Sequence, residues 1–344
     1  MTFVTVERPE ALEEFEDYVP PPPVRPVSFS AADLQSMKFE PIKYVVPGCH
    51  IVEGLTILAS KPKLGKSWLM LQAAIAVVLG EVIFESRCEP GDVLYAALED
   101  NPRRIQSRMD KLRGHRAWPD RLTFRCEMPG LAEGGLDVIR EWAASVEKPR
   151  LVIIDVLAKV RPSRGREEGN YEADYRAVSG LKAVCDELGI AVVLVHHVRK
   201  MDADDPLDTV SGTTGLTGAV DSTLVLSRNS DGVTLQGRGR DIPEVDAAVK
   251  FDRETCRWSF LGEASEVRRS DERSTILAAL TGQDAMSPKD IADEIGQTVT
   301  AVRMTLSRMA RSGEVEKVGR GKYRHPSTPC YDGYEVTSEG SGDD

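Results

Sequence analysis

Leu55-Thr56-Ile57-Leu58-Ala59 runs directly into Ser60-Lys61-Pro62-Lys63-Leu64-Gly65-Lys66-Ser67, and an apolar stretch over 68–79 follows. A β-branched run, a short lysine-bearing loop and an apolar helix are the setting in which a phosphate-binding loop works. Backbone N–H groups of such a loop and of the helix N-terminus present partial positive charge to an anion. On this reading Ser60, Lys61, Pro62, Lys63, Leu64, Gly65, Lys66, Ser67 and Trp68 cradle the phosphates of ATP. Lys66 reaches the β- and γ-phosphates, and the Ser67 hydroxyl holds Mg²⁺. One departure stands out: Ser60 occupies the position where the motif usually has its first glycine. The competing reading is a basic surface loop ahead of a core helix.

Working outward, β-branched runs recur at 93–97, 151–155, 191–195 and 222–226. Helical stretches lie at 102–113, 136–145 and 171–188. Alternation of this kind predicts an α/β fold with a mostly parallel sheet covered by helices. Its ligand site is expected at the carboxyl ends of the strands. The run Leu151-Val152-Ile153-Ile154-Asp155 is an apolar strand ending in a carboxylate, and Asp155 is read as holding the magnesium through water. Val156 follows it, so the acid that deprotonates the attacking water must come from elsewhere. Glu99, at the end of the 93–98 run, is the first candidate, with Asp100 in reserve.

The chain has 344 residues, which suggests about two domains. It is 29% charged and 41% hydrophobic, enough apolar residues for a sizeable core and against wholesale disorder. No apolar run approaches the roughly 18 residues of a membrane helix. The first residues carry Glu7, Glu10, Glu13, Glu14, Glu16 and Asp17 and no secretory apolar core. Six scattered cysteines without a CxxC pair argue against zinc and disulfide frameworks and for a reducing cytoplasm. Net charge is −11, which argues against a globally basic nucleic-acid coat protein. The charge is uneven: 1–47 is net −4, 300–326 is net +5, and 327–344 is net −5. Together these features divide the chain into an acidic, Pro-rich N-terminal segment (1–40), an ATPase domain (41–262), a small module (271–326) and an acidic tail (327–344) expected to be disordered. Pro20–Pro23 and Pro26 read as a stiff linker, with a Pro-motif ligand as the other reading.

In the small module a helix is predicted over 274–280. Ser287 and Pro288 cap a second at 289–295. A third spans 298–312, ended by Gly313, and 315–323 reads as a two-stranded wing. The pattern resembles a winged helix-turn-helix, in which the third helix enters a major groove. Arg303, Arg308 and Arg311 lie on that helix, and Arg320, Lys322 and Arg324 on the wing would meet phosphate. A protein-docking module is the other reading; the clustered positive charge favours duplex DNA.

The body as a whole, over about 41–261, resembles the RepA-like hexameric helicase ATPases of the RecA/DnaB superfamily, P-loop proteins of the AAA_25 type. The pieces that carry this are VPG (46–48), PKLGKS (62–67), ALED (97–100), VIID (152–155), LVHHVRK (194–200), SGTTGLTGAVDSTLVLSR (211–228) and GRGRDIPE (237–244). The resemblance implies a RecA-like core in an ATP-driven, ring-forming motor on single-stranded DNA, in phage or plasmid replication, with replication proteins as further partners. It implies that His197 senses the γ-phosphate, while His196, on the opposite face of its strand, is buried and hydrogen-bonded. It implies that Arg240 reaches into the neighbouring subunit's nucleotide, with Arg238 as companion; a local ion pair with Asp241 or Glu244 is the alternative. DNA contact is expected from Arg161, Arg164 and Arg166 and from Arg199 and Lys200. An ATP-switched initiator or regulator acting through the winged helix, and a recombinase mediator, remain as alternative functions.

Overall fold

The strand that leads into the lysine-bearing loop lies inside the sheet. β1 (Gly54–Ser60) has all seven residues buried, because neighbours pair with both of its edges and helices cover both of its faces. The computed structural model describes residues 28–161, 170–198, 205–210, 214–229, 232–319 and 321–327. The chain divides into two units, Met1–Pro41 and Ile42–Asp344. In the first, a helix over Ala31–Ser36 is closed by a Ser30–Asp33 capping box; everything below concerns the second.

Beside β1, the strands are β2 (Asp92–Ala97), β3 (Leu122–Arg125), β4 (Pro149–Asp155), β5 (Ala191–His197), β6 (Ser222–Asn229), β7 (Gly232–Gly239), β8 (Val245–Phe251) and β9 (Trp258–Glu263). They form one sheet in the order β9-β8-β7-β6-β1-β5-β4-β2-β3. From β6 to β3 every pairing is parallel. From β6 to β9 every pairing is antiparallel. The expectation of a mostly parallel sheet therefore holds for the half that carries the motifs. The antiparallel half has no counterpart in the sequence pattern, because β7 and β8 mix polar or glycine residues with apolar ones and are only partly buried.

Helices α1 (Lys66–Leu79), α2 (Pro102–Arg113), α3 (Gly135–Ser145) and α4 (Asn170–Leu188) lie close to their predicted bounds. The pleat splits each parallel strand between two cores. Leu58, Leu151, Ile153 and Val193 join α1 and α2 on one side; Leu55, Ile57, Val152, Ile154 and Val192 join α3 and α4 on the other. That is why these runs are continuously apolar rather than alternating.

α5 (Thr214–Ala219) precedes β6, and α6 (Ala264–Leu280) follows β9 at once. The helix predicted at 274–280 thus starts earlier, inside a stretch whose charges (Glu266, Arg268, Arg269, Asp271) are exposed and leave no periodic apolar signal. α7 (Pro288–Ile295) starts with a Ser287–Asp290 capping box and ends on left-handed Gly296. α8 (Val299–Arg311) is capped by the Thr298 hydroxyl. The hairpin β10 (Glu316–Val318) and β11 (Lys322–Arg324) is antiparallel. Ile276, Leu280, Ile291, Val302, Leu306, Met309, Val315 and Tyr323 make a core separate from those of the sheet. Tyr323 exchanges both backbone hydrogen bonds with Met286, tying the hairpin to the start of α7. Among the described residues no helix is long and apolar enough to cross a membrane.

Candidate nucleotide site

The loop between β1 and α1 resolves the question raised by Ser60. Ser60 is the last residue of β1, opposite His197 of β5 and Leu226 of β6, and a glycine is not required there. The left-handed backbone falls instead at Lys63 (φ 63°) and Gly65 (φ 105°). At Gly65 a side chain would be strained twice, since a Cβ would also stand 3.0 Å from the Trp258 ring. Trp258 closes on the loop from β9: its indole N–H donates to the Gly65 carbonyl at 3.1 Å. Its backbone exchanges hydrogen bonds with the buried Gln72 amide of α1, at 2.8 and 3.0 Å. The only sequence signal for this clamp is a glutamine interrupting an apolar helix.

Gly65 caps α1 without any side-chain hydrogen bond, so the helix start presents its dipole to an anion. Lys66 is buried, and its ammonium donates to the Ser60 hydroxyl (2.9 Å) and carbonyl (3.1 Å). Burial lowers its pKa to about 8 despite the opposing pull of Asp155 and Glu99. Its Nζ also stands 3.2 Å from His197 Nδ1. Burial and the Lys66 charge lower the His197 pKa, which favours the neutral ring with Nδ1 accepting from lysine. At the preceding residue, burial and then the Arg161 charge press the His196 pKa down to about 4. Strand alternation sends the two rings to opposite faces of the sheet.

Asp155, ending β4, is buried, and desolvation raises its pKa; hydrogen bonds from Ser67 and Tyr95 work in the other direction. A serine hydroxyl and a carboxylate in contact are the hard oxygen donors that suit magnesium, so the residues present fit that ion. Two further acids close the site differently. Asp100 is tied down by Arg104 at 2.9 Å and by Arg108. Glu99 is exposed, and its carboxylate acts on Lys66 and His197 through its field. Of the two, Glu99 is the one not committed to an arginine. Trp68, in the first turn of α1, packs its ring on Phe251 and carries the Arg108 guanidinium 5.4 Å from its centroid.

The geometry joins Lys66, Ser67, Asp155, His197 and Glu99 at the carboxyl ends of β1, β2, β4 and β5. It does not bring Arg238 or Arg240 there. Arg238 is opposite Thr223, which pairs with Ile57, and Gly239 is opposite Ser222, which pairs with Thr56. Thr56 precedes Ser60 by roughly 13 Å along the strand. Arg238 is held by Glu244 (2.9 Å) and Asp205 (2.6 Å), so the local ion pair with Glu244 forms. Arg240 is exposed and donates to the Gly218 carbonyl at 3.1 Å. Both line one cleft of about 440 Å³ with Asp208, Thr217 and Thr223.

Of the expected DNA contacts, Arg303, Arg308 and Arg311 are exposed on α8 and Lys322 is exposed on β11. Arg324 is ion-paired with Glu316 at 2.6 Å, so its charge is partly spent within the hairpin. Arg161 is half-buried near His196. Arg164, Arg166, Arg199, Lys200 and Arg320 lie outside the described residues.

A family model described as an AAA domain matches residues 20–203, more than half of the chain. The chain belongs to this AAA-domain family. Membership supports a P-loop ATPase, with nucleotide binding implied. No curated protein matches the chain. Among solved structures it is similar to one described as an ATPase domain, with TM-score 0.49 and 14% identity, over 61% of this chain and 85% of that one. It is also similar to a DnaB-like replicative helicase, described together with its interactions with primase, with TM-score 0.47 and 14% identity, over 60% of this chain and 57% of that one.

Proposed function

We propose that this AAA-domain protein is an ATP-hydrolysing DNA motor of the helicase type, which assembles as a hexameric ring and translocates on single-stranded DNA. The observation that carries the reading is the contact of His197 with Lys66. It couples the phosphate-binding lysine to β5, the strand that leads in sequence to Arg199 and Lys200. Lys66 would bind the β- and γ-phosphates, and Ser67 and Asp155 would hold magnesium, which would neutralise the charge developing on the phosphates. Glu99 takes the proton of the attacking water, and His197 reports the presence of the γ-phosphate to the DNA-facing segment. Arg240, too far from its own subunit's phosphate loop, would serve a neighbour's nucleotide, with Arg238 beside it.

The test is steady-state ATP hydrolysis without DNA, with single strands and with duplex, using Lys66→Ala as the blank. Stimulation mainly by single strands, followed by strand separation, is the expected result. Turnover indifferent to single strands overturns the motor. A second reading rests on the exposed Arg303, Arg308, Arg311 and Lys322 of a winged-helix module: a nucleotide-gated duplex binder serving replication initiation. A footprint on one duplex sequence without unwinding would establish it.

A further inference from the structure

We propose that Tyr95 is a positioning residue for the magnesium carboxylate: its hydroxyl fixes the orientation of Asp155 toward Ser67 and the nucleotide-bound ion. This rests on the nucleotide-site reading above. β2 and β4 are parallel neighbours in the sheet, with Tyr95 opposite Ile153 and Ala97 opposite Asp155. Tyr95 is 2% exposed, and its hydroxyl donates to Asp155 Oδ2 at 3.0 Å. The carbonyl of Ser67, the proposed magnesium ligand, is 3.4 Å from the tyrosine hydroxyl. A phenol has one proton, so the shorter contact to the charged acceptor takes it. That bond engages Oδ2, and the Ser67 hydroxyl bonds the same carboxylate, so the tyrosine and the serine together fix how Asp155 is turned.

Packing alone does not require this hydroxyl. The ring rests against Phe124 of β3 at 5.8 Å, a place that phenylalanine would fill equally well without a polar atom to satisfy. The surroundings hold the geometry still. Asp100, just beyond β2, is gripped by Arg104 and Arg108, and Arg108 is seated on Trp68, the residue after Ser67. One layer of side chains thus links the end of β2, the end of β4 and the first turn of α1. Ligating carboxylates depend on such partners, whose loss commonly weakens metal binding about 10–100-fold.

The experiment uses the full chain and a fluorescent ADP analogue, with binding followed as Mg²⁺ is titrated from an EDTA-treated start. Tyr95→Phe is expected to raise the Mg²⁺ midpoint about 10-fold or more, with ADP affinity in EDTA unchanged. A midpoint close to that of wild type overturns the proposal. Phe124→Leu loosens the same packing but keeps the hydroxyl, and its midpoint should stay at the wild-type value; a shift equal to that of Tyr95→Phe would assign the effect to packing and overturn the proposal. In an Asp155→Asn background the effect of Tyr95→Phe should vanish, and its persistence there also overturns it. The underlying site reading fails separately, through Lys66→Ala and Asp155→Asn proteins that bind ADP with wild-type affinity and wild-type Mg²⁺ dependence.

Discussion

The two ends of β1 gather different sets of side chains. At the carboxyl end, a lysine, a serine, an aspartate, a histidine and an exposed glutamate converge within hydrogen-bonding or electrostatic reach of one another. Towards the amino end there are Arg240 and a brace, with Arg238 level with the middle of the strand. Asp221 is buried, accepts the Leu55 backbone N–H at 2.8 Å and pairs with Lys182 at 2.8 Å, and its own carbonyl accepts the Arg240 N–H. The first end has the groups that a nucleotide needs. The second offers cationic side chains with no phosphate loop of their own. Their separation is what the proposed role of Arg240 in a neighbouring copy rests on, since neither arginine reaches the phosphate loop of its own chain.

The largest effect expected is at the carboxyl end: Lys66→Ala should reduce ATP hydrolysis to background in a phosphate-release assay while the circular dichroism spectrum is unchanged. Wild-type turnover would break the comparison at its root. Next, Arg240→Ala should lower turnover by about 10³, the scale of an arginine finger, without loss of nucleotide binding. The decisive version mixes Arg240→Ala with Lys66→Ala. Each inactive protein then supplies the end that the other lacks, and recovered hydrolysis places the arginine in trans; no recovery at any ratio refutes that.

Asp221→Ala should destabilise the chain by about 1–3 kcal/mol in chemical denaturation, since it leaves the buried Leu55 N–H without its acceptor, while Lys182 keeps Asp186 at 2.9 Å. A loss confined to hydrolysis, with stability intact, would show that the amino end is not a brace. The smallest effect is a fraction of a proton. In the nucleotide-free protein Lys66 titrates at about pH 8 because burial disfavours its charge, and phosphate would restore that charge. ADP binding somewhat above that pH should therefore take up protons, seen as a dependence of binding heat on buffer ionisation enthalpy, and Lys66→Met should abolish it. The same depression makes the unfolded chain the better proton binder between the lowered pKa and the ordinary lysine value. The Lys66 contribution to stability of the nucleotide-free protein thus rises with pH across that window.

The parallel half of the sheet is legible because strands buried on both faces must be apolar at every position, as in 151–154 and 191–195. The antiparallel half is not, because β7 and β8 owe their pairing to neighbours rather than to their own apolar content. α8 shows its cap and apolar face, whereas the first turns of α6 are mostly polar and give no period to read. Among site residues, Lys66, Ser67, Asp155 and Glu99 announce themselves by position relative to a strand end. Tyr95 and Trp258 do not: a tyrosine inside an apolar strand and a tryptophan 193 residues after Gly65 look like core.

By itself the sequence determined the kind of site. A β-branched strand, a loop with Gly65 and Lys66, and an apolar helix admit few backbone arrangements, since local sterics and helix-end electrostatics act over a handful of residues. Only the tertiary structure decided which acid is held by arginines, and that Arg238 and Arg240 are kept away from their own phosphate loop. Those outcomes depend on strand order and register, and on guanidinium groups of α2 reaching Asp100 while Glu99 stays exposed. Such contacts are set by packing between elements, which no local pattern encodes.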